Sequence, residues 1–296
     1  MPGYAYAILA VSLWGLNFVL LKVLVGVLPP HAMNTLRTLV AASGFLLLYL
    51  RGPKVPMPRG DVLRIVAFGF IGNGLFQWLL MEGVLRTPAG IAAVANATNP
   101  AWLALLGYLF LKERLTALGY LGIALAALGV LLLGGGGGGE VGIGVVFLVL
   151  ASLAWAVYSL SARTVGARYP LSAWVGLGYV VGMLPYWAWN VPSVATLPFA
   201  SLPAWVFWGV AASGLLANVV AYLAWMRAVQ LLGASRAGVW QNLAPLIGAI
   251  GGYVFLGERL SGQALLGGAL VLLGVTLTQR ARVRGAAGSE RRRGAE

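Results

Sequence analysis

The chain contains one of its own segments twice, 145 residues apart. The segment NPAWLALLGYLFLKERL, which opens at Asn99, recurs as APLIGAIGGYVFLGERL from Ala244. Over 35 aligned positions the two copies share 17 identities, including one Pro, one Tyr and the dipeptide Glu-Arg. Chance matches among Leu, Ala and Gly do not place these rarer residues in one register. The sequence therefore predicts a duplicated structural unit.

The composition places this unit in a membrane. Of the 296 residues, 60% are hydrophobic and 9% are charged, which lies far outside the range of soluble domains. A helix needs about 20 apolar residues to cross a bilayer. Ten apolar runs of roughly this length follow one another, at 4–28, 31–50, 62–82, 89–111, 116–133, 142–162, 172–190, 204–226, 234–256 and 262–279. We predict an all-α integral membrane protein with ten transmembrane helices, five in each repeat.

The odd number of helices per repeat sets the relative orientation of the two copies. Because each crossing reverses the chain, the second five helices begin on the side opposite to the first five. The prediction is a 5+5 inverted-topology repeat around a central cavity. The first repeat covers 1–133 and the second 142–279, with a flexible Gly-rich tether at 134–141 and a disordered basic tail at 280–296.

The basic residues predict which way the protein faces, since Lys and Arg accumulate in cytoplasmic loops. With both termini in the cytoplasm, 16 of the 20 positive charges fall on that side. The other four, Lys22, Arg37, Arg86 and Arg259, are assigned to the outer face or its vicinity. This bias also accounts for the net charge of +13, so we expect the lipid bilayer and no nucleic acid as a partner. A monomer is compatible with the sequence.

The reactive residue types argue against catalysis and cofactors. The chain has no Cys and a single His, His31, so we expect no metal site and no cofactor. All seven carboxylates fall at predicted helix ends, in loops or in the tail. This excludes a mid-membrane acid and base pair of the kind that an intramembrane hydrolase needs. We predict that the protein is not an enzyme and has no catalytic residues.

Polar side chains inside the predicted helices mark the candidate substrate site. A charged side chain at mid-bilayer costs about 2.5 to 3.5 kcal/mol, and polar groups there need a protein or water neighbour. Such residues are concentrated at helical spacing in helices 1, 3, 4, 6, 8 and 9. The candidate substrate-binding residues are Trp14, Asn17, Asn73, Gln77, Trp78, Asn96, Asn99, Trp155, Tyr158, Asn218, Tyr222, Trp240, Gln241 and Asn242. Helices 5 and 10 carry glycines at matching positions and are predicted to be scaffold.

Two prolines in the middle of helices 4 and 9 predict kinks. Pro100 and Pro245 each remove the amide that would bond the carbonyl four residues earlier, at Asn96 and Gln241. A free carbonyl at membrane depth is tolerated where it meets protein, water or a cavity. We therefore expect both kinks to face the substrate. The alternative is a structural kink, with the amide side chains acting as helix-to-helix hydrogen bonds of about 0.6 kcal/mol each.

The candidate lining is amphipathic and uncharged, which suits a small zwitterionic or aromatic solute. Indole and phenol faces stack on aromatic rings, and they attract an ammonium group by about 0.5 to 2 kcal/mol. The alternative role for these rings is helix packing or anchoring at the membrane interface.

The segments GIAAVANATNPAWLALLGYLFLKERL and ASRAGVWQNLAPLIGAIGGYVFLGERL, each followed by a glycine-rich helix, resemble the EamA-type domain of the drug/metabolite transporter superfamily. Within it, the chain is most similar to YddG-type bacterial exporters of aromatic and other amino acids. The resemblance implies a ten-helix basket with a central cavity and alternating access in the bacterial inner membrane. It also implies that Glu113-Arg114 and Glu258-Arg259 act as structural caps. The lack of paired Lys or Arg in the predicted cavity argues against phosphorylated substrates.

Our hypothesis from the sequence is an inner-membrane exporter of aromatic and other neutral amino acids that works by alternating access. Within the transport class, the alternative is efflux of other small metabolites, nucleosides or hydrophobic cations. From another class, the alternative is a passive pore or a membrane assembly factor. The sequence leaves open whether export is coupled to protons.

Overall fold

A computed structural model describes residues 2–111, 116–135, 138–161, 164–232 and 240–293. Within these ranges the chain is helical apart from short connections and shows no strand. The first five helices are α1 (Pro2–Val25), α2 (Pro30–Arg51), α3 (Arg59–Arg86, with a π-helical turn at Phe70–Leu75), α4 (Ala89–Asn96 and Asn99–Leu111) and α5 (Ala117–Gly135). The others are α6 (Gly138–Ser161), α7 (Leu171–Ala195), α8 (Ala204–Ala212, the π-helical Ser213–Val220 and Ala221–Leu232), α9 (Leu243–Leu256) and α10 (Gly262–Arg293).

Eight of the described helices, α1 to α6, α8 and α10, are long and apolar enough to cross a membrane. Helix α9 is a shorter apolar helix of 14 residues. Helix α7 has 25 residues and contains Pro185 and Pro192. At 1.5 Å per residue it is about 37 Å long. The predicted all-helical membrane architecture is confirmed.

Prolines set the starts of several helices. Pro29, Pro58, Pro88, Pro170 and Pro203 occupy the residue immediately before α2, α3, α4, α7 and α8. The ring of proline holds φ near −65°, and proline is tolerated at a helix start because the first amides have no partner within the helix. Each of these five loops therefore ends at its proline. The position of the proline sets how far the polar residues of the following helix lie from the start of that helix.

The helices of the two repeats pack in a pattern that the duplication relates. Helix α1 packs against α8 and α9, and its counterpart α6 packs against α3 and α4. Three further contacts join helices in the same position of each repeat: α2 with α7, α4 with α9, and α5 with α10. Each of these contacts thus has a counterpart, or is its own counterpart, when the repeats are exchanged.

The contact between α5 and α10 depends on glycine. Gly122 lies against Gly274, and Gly129 lies against Gly267, so the two helices run antiparallel. In the repeat alignment Gly122 corresponds to Gly267 and Gly129 to Gly274, so the two contacts are equivalent. Small residues let the backbones of membrane helices approach closely, where dispersion contacts provide the attraction.

Two regions outside the predicted transmembrane helices, the C-terminal tail and the Gly-rich tether, differ from the sequence predictions. Helix α10 continues to Arg293, whereas we expected a disordered tail from residue 280. Ala, Arg and Glu are strong helix formers, and extending an existing helix needs no new nucleus. Helix α6 begins at Gly138, inside the predicted tether, while residues 136–137 lie outside the described ranges, as do Glu113 and Arg114.

The glycine contact predicts a specific loss of stability. A methyl group on Gly129 would lie 2.5 Å from the Gly267 carbonyl oxygen and 2.6 Å from the Val271 nitrogen, so α10 would have to move. We expect Gly129→Ala to destabilise the protein by about 1 to 3 kcal/mol, the usual cost of overpacking. The measurement is thermal unfolding in detergent. Gly262→Ala is the matched control, since nothing lies within 4 Å of the added methyl; equal midpoints for both variants would contradict the packing role.

Candidate functional site

A turn interrupts helix α4, and another turn precedes helix α9. Both turns lie just before a proline. The α4 interruption is the turn at residues 97–98, and the chain before α9 turns at residues 241–242. The Thr98 carbonyl accepts hydrogen bonds from the amides of Ala101 and Trp102, at 3.0 and 3.3 Å. The Gln241 carbonyl accepts the Ala244 amide at 3.1 Å, so it is not free as the sequence analysis expected. At Gln241, a short-range turn bond therefore replaces the helical bond that Pro245 removes.

Buried polar atoms that have no hydrogen-bond partner among the described residues lie on α4 and its neighbour α6. They are the Asn96 side-chain oxygen, the Trp102 indole nitrogen and the Ser152 hydroxyl. The Asn99 side-chain amide donates to the Ser152 carbonyl oxygen at 3.4 Å. Because buried polar groups in proteins are nearly always satisfied, unpaired ones indicate a place for water or a ligand.

The corresponding residues before α9 have different surroundings. The Asn242 side-chain amide donates to the Thr276 hydroxyl at 3.1 Å and contacts the Gln279 side-chain oxygen at 3.4 Å, both on α10. The Trp240 ring lies 5.7 Å from the ring of Tyr4, and both Trp240 and Gln241 are half-buried. The polar residues before α9 therefore have different partners from those of α4.

Polar side chains connect α1 to the π-helical part of α8. The Trp14 indole donates to the Ala217 carbonyl oxygen at 3.0 Å. The Ser213 hydroxyl donates to the Asn17 side-chain oxygen at 2.7 Å, and the Asn218 amide donates to the Ser213 carbonyl oxygen at 3.1 Å. Three candidate residues are therefore engaged in hydrogen bonds within and between these helices.

A group of aromatic rings, the aromatic cluster, fills the space between α2, α6, α7 and α8. It consists of Phe45, Trp155, Tyr158, Tyr179 and Tyr222. The ring centre of Phe45 lies 4.4 Å from that of Tyr179 and 5.8 Å from that of Tyr222. The ring centres of Trp155 and Tyr158 are 5.4 Å apart. The predicted residues of α6 and α8 thus meet aromatic residues of α2 and α7 that the sequence analysis did not select.

The candidates on α3 have three different environments. The Asn73 amide donates to the Gly69 carbonyl oxygen at 3.0 Å and lies beside the Tyr158 hydroxyl. Gln77 is buried and points into the bundle, as described below. Trp78 is 37% exposed and packs edge-on against Phe147, outside the aromatic cluster.

A buried arginine, Arg37, lies inside the described bundle and was not among the predicted site residues. We had assigned it to the outer face or its vicinity, but its side chain is 1% exposed, in the first half of α2. Its guanidinium donates to the side-chain oxygens of Asn34 at 2.6 Å, Gln77 at 2.6 Å and Ser213 at 3.0 Å. The expectation of an entirely uncharged interior is therefore wrong. Asn34, Arg37 and Thr38 share a helical face, which is the signal that could have revealed it.

A hydrogen-bond chain links this guanidinium to the end of the bundle. The Asn34 amide donates to the Tyr186 hydroxyl at 2.8 Å, and that hydroxyl lies 3.2 Å from His31 Nδ1. His31 Nε2 lies 2.7 Å from the Glu82 carboxylate, which also pairs with Arg86. These contacts, the His31 cluster, connect α2 and α3 of the first repeat to α7 of the second.

A second polar group connects the repeats at the opposite ends of these helices. The Asp61 carboxylate at the start of α3 accepts the Tyr169 hydroxyl at 2.7 Å and Arg168 Nη1 at 3.2 Å. Arg168 and Tyr169 lie in the connection between α6 and α7. The hydrogen bond to the Asp61 carboxylate raises the pKa of Tyr169, since the anion would lose that bond. We call this group the Asp61 cluster.

The carboxylate of Glu258 caps a helix of the other repeat. Its oxygens accept the amides of Ala89 and Gly90, at 2.8 and 3.3 Å, at the start of α4. An anion at a helix N-terminus meets unpaired amides and the positive end of the helix dipole. The structural role expected for Glu258 therefore connects α9 to α4.

The structure also contains an apolar groove of about 180 Å³. It is lined by Leu28, Leu36, Val40, Phe199, Leu202, Val206, Phe207, Val210 and Ala211. None of these residues belongs to the candidate set, so the groove is separate from the polar interior.

Known transporters are similar to this chain over most of its length. An uncharacterized transporter of Archaeoglobus fulgidus is 26% identical, covering 95% of this chain and 100% of its own. A probable terminal-alkyne amino-acid exporter of Streptantibioticus cattleyicolor is 30% identical over 83% of each chain. A probable amino-acid metabolite efflux pump of Escherichia coli is 25% identical, covering 91% of this chain and 92% of its own.

A solved crystal structure that is 19% identical superposes with a TM-score of 0.62, covering 95% of this chain and 97% of the other, and shows a shared fold. The model of the EamA-like transporter family matches residues 1–135 and 142–280, one match for each copy of the duplicated unit. Because these matches include both repeats and nearly every described helix, the chain belongs to the EamA-like transporter family.

Proposed function

We propose that this transporter exports aromatic and other neutral amino acids across the bacterial inner membrane. The observation that carries the proposal is the aromatic cluster beside buried amides and a guanidinium, at the meeting of helices from both repeats. Aromatic rings suit an apolar side chain, whereas amide and guanidinium groups suit the polar backbone of an amino acid. Relatives named as amino-acid exporters support the same substrate class.

The proposed topology has all ten helices crossing the membrane as a 5+5 inverted repeat, with both termini in the cytoplasm. Helix α7 is long enough to cross, and α9 is lengthened by the turn that precedes it. The equivalent glycine contacts of the antiparallel α5 and α10 support a two-fold axis between the repeats. The excess of Lys and Arg on one side supports the orientation.

The proposed substrate site lies where α1, α3, α4, α6, α8 and α9 converge. We place the solute against Asn73, Gln77, Tyr158 and Tyr222 on one side, and against the turns before Pro100 and Pro245 on the other. We propose that these turns present Asn96, Asn99, Trp240 and Gln241 to the solute, and that Asn242 supports the turn before α9 through its hydrogen bonds to α10. The remaining candidates, Trp14, Asn17, Trp78, Trp155 and Asn218, support these elements through the packing and hydrogen bonds described above.

The proposed mechanism is alternating access between two ends that polar contacts close. The His31 cluster joins the repeats at one end, and the Asp61 cluster joins them at the other. Rocking of the repeats opens one end while the contacts at the other remain. A solute drives this exchange only to the extent that it binds the two states with different affinity.

The first test is counterflow in proteoliposomes. We expect labelled Phe, Thr and Met to accumulate in vesicles preloaded with the unlabelled amino acid, with a rate that saturates. Saturation follows because each transport cycle carries solute through a finite number of binding sites. Vesicles without protein are the control. Flux that rises linearly with concentration would indicate a pore, and absence of exchange for every amino acid would refute the substrate class.

The second test concerns the turn before α9. We expect Trp240→Ala and Gln241→Ala to lower the exchange rate about tenfold, the equivalent of ~1.4 kcal/mol of lost solute contact. Leu128→Ala on the exposed side of α5 is the control for truncation of a membrane helix. Initial counterflow rates at equal protein content measure the effect. Equal losses in all three variants would count against a lining role.

The third test uses the absence of native cysteine. Ala117 and Gly262 are exposed residues at the starts of α5 and α10, and they occupy equivalent positions in the repeats. In the inverted repeat we expect Ala117→Cys and Gly262→Cys to react with an impermeant thiol reagent from opposite sides of the membrane. Labelling of both from the same side would refute the inverted topology.

A further inference from the structure

The charge of Arg37 has no carboxylate partner among the described residues. The Asp61 carboxylate bonds Tyr169 and Arg168, that of Glu82 contacts His31 and Arg86, and that of Glu258 caps α4. Glu140 is exposed at the start of α6. A buried cation is normally paired, because removing it from water is costly unless an opposite charge compensates.

The neighbours that hold Arg37 orient the guanidinium without neutralising it. All three bonds go to neutral acceptors, on Asn34, Gln77 and Ser213. They engage three of the five N–H donors that a guanidinium carries. The planar geometry of the group suits a carboxylate, which it binds through two parallel hydrogen bonds. Arg37 therefore has both the charge and the donor geometry for an anionic ligand.

A second, independent feature lies on α7, which packs against the helix that carries Arg37. The Tyr179 hydroxyl is buried and has no hydrogen-bond partner in the described part of the chain, and it lies within electrostatic range of Arg37. Its ring packs against Phe45 of the aromatic cluster. An unpaired hydroxyl donor within electrostatic range of an unneutralised cation has the chemistry to receive an anionic oxygen, and the adjoining rings offer an apolar surface.

We propose that Arg37 and Tyr179 bind the carboxylate of the transported solute, and that the charge of Arg37 excludes cations that lack a carboxylate. This inference rests on the proposed function, because it deepens the same site. It assigns the substrate class as carboxylate-bearing molecules with an apolar or aromatic side chain. Hydrophobic amines are excluded, since like charges repel strongly where water does not screen them.

The alternative role for Arg37 is a structural pin that holds α2, α3 and α8 together. A pin and a carboxylate receptor differ in their effect on selectivity. Loss of a pin weakens the binding of every solute to a similar degree, whereas loss of the receptor weakens only solutes that carry a carboxylate.

The test compares three probes that share one phenyl ring: L-phenylalanine, 3-phenylpropionate, which lacks the amine, and phenethylamine, which lacks the carboxylate. Affinity is measured from the concentration dependence of the thermal unfolding midpoint of purified protein in detergent. We expect the two carboxylates to stabilise the wild-type protein and phenethylamine to have no effect. In Arg37→Gln we expect carboxylate affinity to fall about 10- to 100-fold, the range for a lost charge-assisted hydrogen bond.

Two further variants control the comparison. Arg51→Gln makes the same chemical change on an exposed side chain in the last turn of α2, the helix that carries Arg37, so we expect the wild-type pattern. Tyr179→Phe keeps the ring and removes a hydroxyl that has no partner, so we expect normal folding and several-fold weaker binding of both carboxylates. This variant decides the question if Arg37→Gln does not fold.

The proposal is overturned if wild-type protein binds all three probes alike. The same holds if Tyr179→Phe keeps the wild-type carboxylate affinity and Arg37→Gln either keeps that affinity too or does not fold. It is also overturned if Arg37→Gln weakens all three probes equally. Counterflow is measured separately. Selective carboxylate binding without exchange of any amino acid would refute the proposed function and leave the carboxylate receptor in place.

Discussion

A polar group inside a bilayer must find its partner within the protein, and the interior of this transporter is organised by that requirement. The guanidinium of Arg37 donates hydrogen bonds to acceptors on α2 and α3 of the first repeat and on α8 of the second. Ser213 passes the connection to Asn17 on α1, and Asn34 passes it to Tyr186 on α7. Hydrogen bonds from one buried cation and its neighbours thus connect five helices.

The two repeats contribute scaffold and site through different residue types. Glycine contacts hold α5 and α10 close, and such contacts leave little freedom for relative movement. The contacts at the ends of the bundle are instead hydrogen bonds and ion pairs between polar side chains, in the His31 and Asp61 clusters. In the alternating access that we propose, the repeats separate at these ends and stay joined at the glycine-packed pair.

The helical membrane architecture was predictable from the sequence, and so was a break in the helical hydrogen bonding near Pro100 and Pro245, although the Gln241 carbonyl expected to be free accepts the Ala244 amide. Both depend on local chemistry, namely the length of apolar runs and the missing proline amide. The aromatic cluster was predictable only in part: Tyr158 and Tyr222 stood out as polar groups in apolar helices, whereas Phe45 and Tyr179 did not. Arg37 was missed because counting charges assigns an arginine near a helix end to the membrane surface, without regard to what its neighbours offer.

The sequence by itself determined the duplication, the helical class and the family, because these are written in composition, period and register along one chain. The tertiary structure alone decided which polar side chains meet. Asn34 and Gln77 are 43 positions apart, and Ser213 lies in the other repeat, yet all three converge on one guanidinium. Hydrogen bonds between helices depend on the rotation and depth of each helix, and packing against all its neighbours sets these two quantities.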